Sequence, residues 1–237
     1  MTSVHQLKLW LKDHPNPAYR QLFVRLKQLR AFELPTPKVY NQLVSMLLTT
    51  VTNCWQSALR VLLFTPAFKA KAAQHGNQLY IYGGTPLVTG PLNLTVGSQC
   101  RISGHTTFSA RTATVEPQLI IANNVGIGWQ TTIAVGTKVV LGNNVRIAGQ
   151  CNLFGYSGHP IDAKRRAAGE PDDASQVGDI VLEDDVWLGS KVVVMSGVTI
   201  GQGTVVAAGS IVTKSLPSNV IAAGNPAKVI KSIKQEA

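Results

Sequence analysis

The chain has 237 residues, enough for one large or two small domains, and only 14% of them are charged. Three cysteines without paired spacing, Cys54, Cys100 and Cys151, exclude a disulfide framework and point to a reducing compartment. The net charge of +10 is uneven: Lys8, Lys12, Arg20, Arg25, Lys27, Arg30, Lys38, Arg60, Lys69 and Lys71 face only Asp13 and Glu33 in the first 75 residues. Such a segment attracts a membrane surface, nucleic acid or an acidic glycan, or is an ordinary solvated helical face.

The N-terminus reads MTSVHQLKLWLKDHP, with charges where the apolar core of a secretion signal would sit. Residues 3–32 read as two helices, carrying Leu7, Trp10 and Leu11 in the first and Leu22, Phe23, Leu26 and Leu29 in the second. His14–Pro17 divides them, because two close prolines cannot sit inside one helix. After a second break at Leu34–Pro37, Val39–Phe64 places Leu43, Leu47, Val51, Trp55, Leu59 and Leu62 on one helical face. Its Asn, Gln and Thr residues make it a poor membrane span. An amphipathic helix there is expected to lie on a bilayer or, the favoured reading, to cover the first β-coil or a neighbouring subunit.

From about Gln78 the chain changes to short β-branched runs. Aliphatic or aromatic residues recur every six positions at Val96, Ile102 and Phe108, lose register near Glu116–Pro117, and resume at Ile121, Ile127 and Ile133. They shift by two, continue at Leu141, Ile147 and Leu153, and after a long interruption return at Leu182, Leu188, Val194, Ile200, Val206 and Val212. Four residues after each of the last six stand Val186, Val192, Val198, Thr204, Ser210 and Leu216. Neither a helix nor a simple strand keeps a register of six; a coiled solenoid does, each unit forming one flat side and a corner. At about 18 residues per three-sided coil, six or seven coils fit. The expected organisation is a helical region at 1–77, a β-solenoid at 78–216 carrying an inserted loop at 155–179, and a capping segment at 217–237.

The loop holds Ser157-Gly158-His159-Pro160, and an imidazole titrates where a general base works. A long polar loop on a regular scaffold is more often functional than accidental.

The segments LGNNVRIAGQCNLFGYSGHPID and VLEDDVWLGSKVVVMSGVTIGQGTVVAAGSIVTKSLPSNVIAAGNPAKVIKSI resemble the hexapeptide-repeat acyltransferases, especially the sugar O-acetyltransferases. The resemblance implies a mainly β protein, a left-handed parallel β-helix with an N-terminal helical region, and transfer of acetyl directly from acetyl-CoA with no metal. By that likeness His159 takes the proton of a sugar hydroxyl, the Ser190 N–H is the oxyanion donor, and Trp187 shapes the cleft. Ala208 would line the pantetheine groove, and Thr213, Lys214, Lys228 and Lys231 would hold the CoA phosphates. Where the family places an acceptor-contacting Asn this chain has Gly128, with Gln130 nearby; Asp162 and Glu170 are further candidates to orient the imidazole or touch the acceptor. The family's active sites lie between subunits of a trimer, so a homotrimer is expected.

The first reading is therefore an O-acetyltransferase acting on a sugar of a surface polysaccharide or its precursor. It is expected to be cytoplasmic, with residues 1–70 available for peripheral contact at the inner face of the membrane and no part for nucleic acid. An acetyltransferase for an antibiotic or amino sugar is the close alternative. A non-catalytic scaffold is less consistent with the loop and the lysines. A zinc hydratase would need three convergent histidines; only His105 and His159 lie clearly in the coils, with His75 at their start.

Overall fold

A computed structural model describes residues 3–234. The chain divides into two compact units, 1–52 and 53–237.

In the first unit, α1 (Val4–Asp13) and α2 (Pro17–Arg30) pack side by side. Ser3 and Gln6 form a capping box on α1, and Asn16 caps α2 with Pro17 in its first turn. The break between them is therefore set by local chemistry. The helix α3 (Lys38–Leu59) follows, runs on into the second unit, and has no buried residue.

The second unit continues α3 through one wider turn at Arg60–Phe64 into α4 (Thr65–Lys69). The cap over the first β-coil comes from this end: Phe64 packs on the core, and Phe68 is fully buried with its ring 6.5 Å from that of Phe108. Of the Val39–Phe64 stretch it is thus the end that covers that coil, through Phe64 and Arg60 over the Tyr80 ring, with Phe68 beyond it, while Leu43, Leu47, Val51 and Trp55 are exposed.

Six complete coils follow. Coil 1 comprises β1 (Gln74–His75), β2 (Tyr80–Tyr82) and β3 (Leu87–Thr89); coil 2 comprises β4 (Asn93–Val96), β5 (Arg101–Ser103) and β6 (Thr107–Ala110). Coil 3 has β7 (Gln118–Ile121), β8 (Gly126–Ile127) and β9 (Thr132–Val135), and coil 4 has β10 (Lys138–Leu141), β11 (Arg146–Ile147) and β12 (Asn152–Phe154). Coil 5 runs β13 (Ile180–Leu182), β14 (Trp187–Leu188), β15 (Val193–Val194), and coil 6 runs β16 (Thr199–Ile200), β17 (Val205–Val206), β18 (Ile211–Val212). A seventh begins where Leu216 bridges Ile200 and ends in β19 (Val220–Gly224), against which β20 (Ala227–Ser232) folds back antiparallel.

Each coil gives one strand to each of three parallel sheets, here sides A, B and C in chain order. The hexad residues stack in register: Val96, Ile121, Leu141, Leu182 and Ile200 on side A, and Ile102, Ile127, Ile147, Leu188 and Val206 on side B. Phe108, Ile133, Leu153, Val194 and Val212 stack on side C, and all three columns are buried. In coils 5 and 6 the residues four positions on, Val186, Val192, Val198, Thr204, Ser210 and Leu216, are buried too; the Thr204 and Ser210 hydroxyls donate to the carbonyls of Pro217 and Ala207, so neither is stranded. Burying an aliphatic side chain contributes about 1.5–3 kcal/mol, so repetition alone gives the stack its stability.

From coil 2 onward the six-residue stride never breaks between sides A and B or between B and C; coil 1 alone takes seven residues from Ile81 to Val88. The larger irregularities fall at the corner from C to A: Phe108 to Ile121, Ile133 to Leu141, and Leu153 to Leu182 with the long loop between. The inserted loop is thus placed on one defined edge of the prism.

Candidate functional site

The three edges of the prism are chemically different. At the edge between A and B, corner N–H groups are satisfied by side chains of the next coil. Ser98 N–H donates to Asn123 Oδ1 at 2.8 Å, Asn123 N–H to Asn143 Oδ1 at 3.2 Å, and Asn143 N–H to Asp184 Oδ1 at 2.7 Å. This edge is closed by its own asparagine and aspartate ladder.

The edge between C and A carries the loop. Val177 lies against Gly136 of coil 3, and Arg111 of coil 2 donates through Nε to Asp172 Oδ1 at 2.8 Å and through Nη2 to the Asp172 carbonyl at 3.0 Å. The loop therefore folds back along the edge toward the N-terminal coils. His159 is exposed near its start, and its carbonyl accepts from Ser157 Oγ at 2.9 Å. Asp162 caps the short helix α5 (Ala163–Ala167) by accepting from the Arg165 N–H at 2.8 Å. Glu170 and Asp173 both pair with Arg165 at 2.7 Å, which raises the pKa of that guanidinium further. Asp162 and Glu170 thus hold the frame of the loop that presents His159.

The edge between B and C is open. Its corners are Gly128-Trp129-Gln130, Ala148-Gly149-Gln150, Gly189-Ser190-Lys191 and Ala207-Ala208-Gly209. Gln130, Gln150, Lys191 and Gly209 take positive φ (55, 65, 61 and 73°), the geometry of a type II turn. The flanking N–H groups bond between coils: Gly189 to the Val206 carbonyl at 2.8 Å, Lys191 to Gly149 at 3.1 Å, Gly209 to Ser190 at 2.9 Å. Among the described residues, the middle N–H groups of Trp129, Gly149, Ser190 and Ala208 have no such partner. Small side chains at three of these four positions leave a row of backbone donors facing outward, where carbonyl oxygens of a long ligand could be held.

Predicted site residues divide between these edges. Ser190, Ala208 and Gln130 share the open edge, where Gln130 also accepts from Gln150 Nε2 at 3.0 Å. Lys228 pairs in register with Ala223 just beyond Ala222, so it stands at the C-terminal end of the same edge. Trp187 and Lys231 belong to the outer row of side B, through Trp187, Val205, Ile221 and Lys231. His159, Thr213 and Lys214 lie on the opposite edge of side C, His159 after β12 and the other two after β18. One chain therefore does not place them on one edge: side C stands between the attachment of the loop and Ser190.

Beside Trp187, the outer row of side B contains Arg101, Gly126 and Arg146, which the sequence did not single out. The four are consecutive in register, and with Tyr82 and Gly128 they line a groove of about 230 Å3. Gly128 occupies the position of the expected Asn; a Cβ there would lie 2.6 Å from the backbone nitrogen of Gly149. Among the described residues, no three His, Cys, Asp or Glu side chains are grouped to hold a metal.

Residues 179–214 match the family model described as bacterial transferase hexapeptide (six repeats). The galactoside O-acetyltransferase of Escherichia coli strain K12 is 40% identical over 129 residues, covering 51% of this chain and 61% of that protein. The Lactococcus lactis galactoside O-acetyltransferase is 38% identical over 115 residues, 48% of this chain and 50% of that protein. The chain thus spans about half to three fifths of the length of these relatives. In fold it is similar to AntD, an N-acyltransferase from Bacillus cereus solved as a mutant with dTDP-4-amino-4,6-dideoxyglucose and coenzyme A. The TM-score is 0.59 at 20% identity, covering 72% of this chain and 89% of that one.

Proposed function

We propose that the chain is an acetyl-CoA-dependent O-acetyltransferase of the hexapeptide-repeat type acting on a sugar hydroxyl. The observation that carries this reading is the open edge between sides B and C, with its outward N–H groups at Ser190 and Ala208 and Lys228 at its end. A pantetheine arm is a chain of amides and would lie along such a row, with its phosphates toward Lys228 and Lys231. The thioester carbonyl would then sit at the Ser190 N–H, which stabilises negative charge developing on that oxygen.

His159 is the base: it takes the proton of the acceptor hydroxyl as the oxygen forms its bond to the acyl carbon. The tetrahedral intermediate collapses with loss of the CoA thiolate, which takes the proton back from the imidazolium. Since the loop bearing His159 and the Ser190 edge flank side C on opposite edges, one copy's loop would serve another copy's donor edge. A homotrimer arranges three such pairings by one rotation, which is the assembly proposed. Thr213 and Lys214, on the loop-bearing edge, would then reach the donor from the same side as His159.

In the first unit, a groove of about 750 Å3 between α1 and α2 has Val4, Leu7, Leu11, Phe23 and Leu26 in its walls and Lys8, Lys12, Lys27 and Arg30 around them. At the turn, Trp10, His14 and Tyr19 meet in edge-on and tilted contacts with centroids 4.5–5.1 Å apart. No helix among the described residues is long and apolar enough to cross a membrane. An apolar groove with a cationic rim and interfacial aromatics suits peripheral docking on an anionic bilayer, which would favour a polysaccharide precursor as acceptor.

The test is acetyl-CoA binding by calorimetry and thermal shift in wild type and His159→Ala. Tight binding in both supports the reading with His159 reserved for chemistry. Absence of binding in both removes it.

A further inference from the structure

We propose that the groove on the outer face of side B is a subsite for an anionic sugar, a pyranose bearing a carboxylate or a phosphate. Its occupancy needs no donor, so it rests on the transferase reading only for the inference that the bound sugar is the acceptor.

Three features of the groove point to this ligand. The first is shape. Register places Arg101 and Arg146 on either side of Gly126, and strands about 4.8 Å apart put their backbones about 10 Å from each other. The missing side chain at Gly126 leaves a notch between them. At about 230 Å3 the groove is below the range for drug-sized ligands and is suited to one ring.

The second is charge. No Asp or Glu lines the groove, and neither arginine makes an ion pair among the described residues. Arg101 rests on the rings of Tyr80 and Tyr82, 5.7 and 4.9 Å from their centroids, so aromatic faces hold it without neutralising it. Arg146 is fixed by neutral acceptors: Nη1 donates to the carbonyls of Asn124 and Val145, and Nη2 donates to Asn124 Oδ1 at 3.0 Å. Of its five N–H groups this leaves Nε–H and one on Nη2, adjacent donors that form a side-on fork for a carboxylate or phosphate. Nε stands 3.9 Å from where a Gly126 Cβ would be, directly over the notch.

The third is the walls. Tyr82 and Trp187 stand in the lining, and Trp187 is 54% exposed. Aromatic faces beside a polar, charged floor are suited to the C–H face of a sugar ring whose anion lies against the fork. A neutral sugar would leave two positive charges without a partner, so the site discriminates by charge.

The groove lies on coils 1–5, whereas Lys228 and Lys231 stand at the C-terminal end of the prism. It is therefore a separate anion site from the one proposed for the CoA phosphates.

The experiment is calorimetric and NMR titration of the full-length protein with glucuronic acid, glucose 1-phosphate and glucose, without acetyl-CoA. At least one anionic sugar is expected to bind tenfold or more tighter than glucose, and which one identifies the anion. Arg101→Gln and Arg146→Lys should each weaken it fivefold or more, the second because an ammonium keeps the charge and loses the fork. Equal binding of all three sugars to wild type overturns the proposal without any variant. Displacement of the bound sugar by adenosine 3′,5′-bisphosphate also overturns it, by assigning the anion to the donor site. Binding of anionic sugar in a protein that does not bind acetyl-CoA would leave this site standing and remove the transferase reading instead.

Discussion

Arg111 Nε donates to Asp172 Oδ1 at 2.8 Å and so ties coil 2 to a loop that leaves the stack two coils later. Both side chains are nearly buried, 14% and 4% exposed, and Asp172 Oδ2 is buried without a partner. Arg111→Ala would leave that carboxylate in a dry site with its charge uncompensated, a loss of about 3–5 kcal/mol. The expected result is release of the loop: faster tryptic cleavage at Arg165 and Arg166, and a large fall in turnover at nearly unchanged acetyl-CoA affinity. Limited proteolysis and calorimetry read both. An intact, protease-resistant loop in this variant would show that Val177 against Gly136 suffices to hold it.

Ser190 is the first central residue of its corner, and the positive φ of Lys191 marks that corner as type II, whose first central position accepts proline. Ser190→Pro should therefore keep the coil and remove only the N–H. If that N–H is the oxyanion donor, kcat falls by about two to three orders of magnitude. His159→Ala should cause a fall of about two to four orders for a different reason, loss of the base. Because side C separates the two groups in one chain, mixed oligomers refolded from both variants should recover activity: some sites then combine an intact loop with an intact edge. Failure to complement, with hybrids verified by mass, would place both groups in a site made by one chain.

The ladders were legible because one buried layer per coil forces the same residue type at every sixth position. The slips were legible as slips; that those from Phe108 onward fall on one edge needed the register. Legibility ends where contacts depend on coil length. Arg101, Gly126, Arg146 and Trp187 form one row, yet their spacing in sequence is irregular because corner insertions intervene. Ser190 and Ala208 were proposed through resemblance alone; what the register adds is a contrast between edges. Asn123, Asn143 and Asp184 cover the N–H groups of one edge, and glycine, serine and alanine leave those of another uncovered.

Cys100 and Cys151 have raised pKa values, chiefly because burial disfavours the thiolate. Their Sγ–H groups donate to the carbonyls of Ala122 and Gly189, both at 3.1 Å. Cys54 is exposed. Alkylation of the native protein should therefore fall on the accessible Cys54 while the two solenoid thiols, buried and held as thiols, stay unreactive. Mass spectrometry should find one modified cysteine in native protein and three after denaturation. Native-state labelling of Cys151 would reveal opening of the corner at Gly189.

If α1 and α2 dock on anionic lipid, binding must combine charge with apolar insertion. Cosedimentation with vesicles containing phosphatidylglycerol should fall steeply between low and physiological salt, and should be weak with phosphatidylcholine alone. Lys8→Glu with Lys27→Glu should abolish it. Leu7→Ala with Leu26→Ala should weaken it by about one to two orders, from the apolar area lost. Binding that depends on salt yet ignores the leucines would reduce the groove to a plain cationic surface.

The position where related sugar acetyltransferases are expected to carry Asn is Gly128, and its surroundings explain the difference. A side chain there would meet Gly149 nitrogen at 2.6 Å and the Ala148 carbonyl carbon at 2.7 Å, backbone atoms that cannot swing aside. Gly128→Asn should therefore destabilise the protein by about 1–3 kcal/mol, as overpacking in close-packed interiors does. It should also narrow the groove beside Arg146 and raise KM for an anionic acceptor instead of conferring use of galactosides. Thermal denaturation and kinetics on paired neutral and anionic acceptors check both. A stable Gly128→Asn variant that gains galactoside turnover would mean that coils 3 and 4 can separate at this corner, and that the acceptor is chosen by one amide and not by the two arginines.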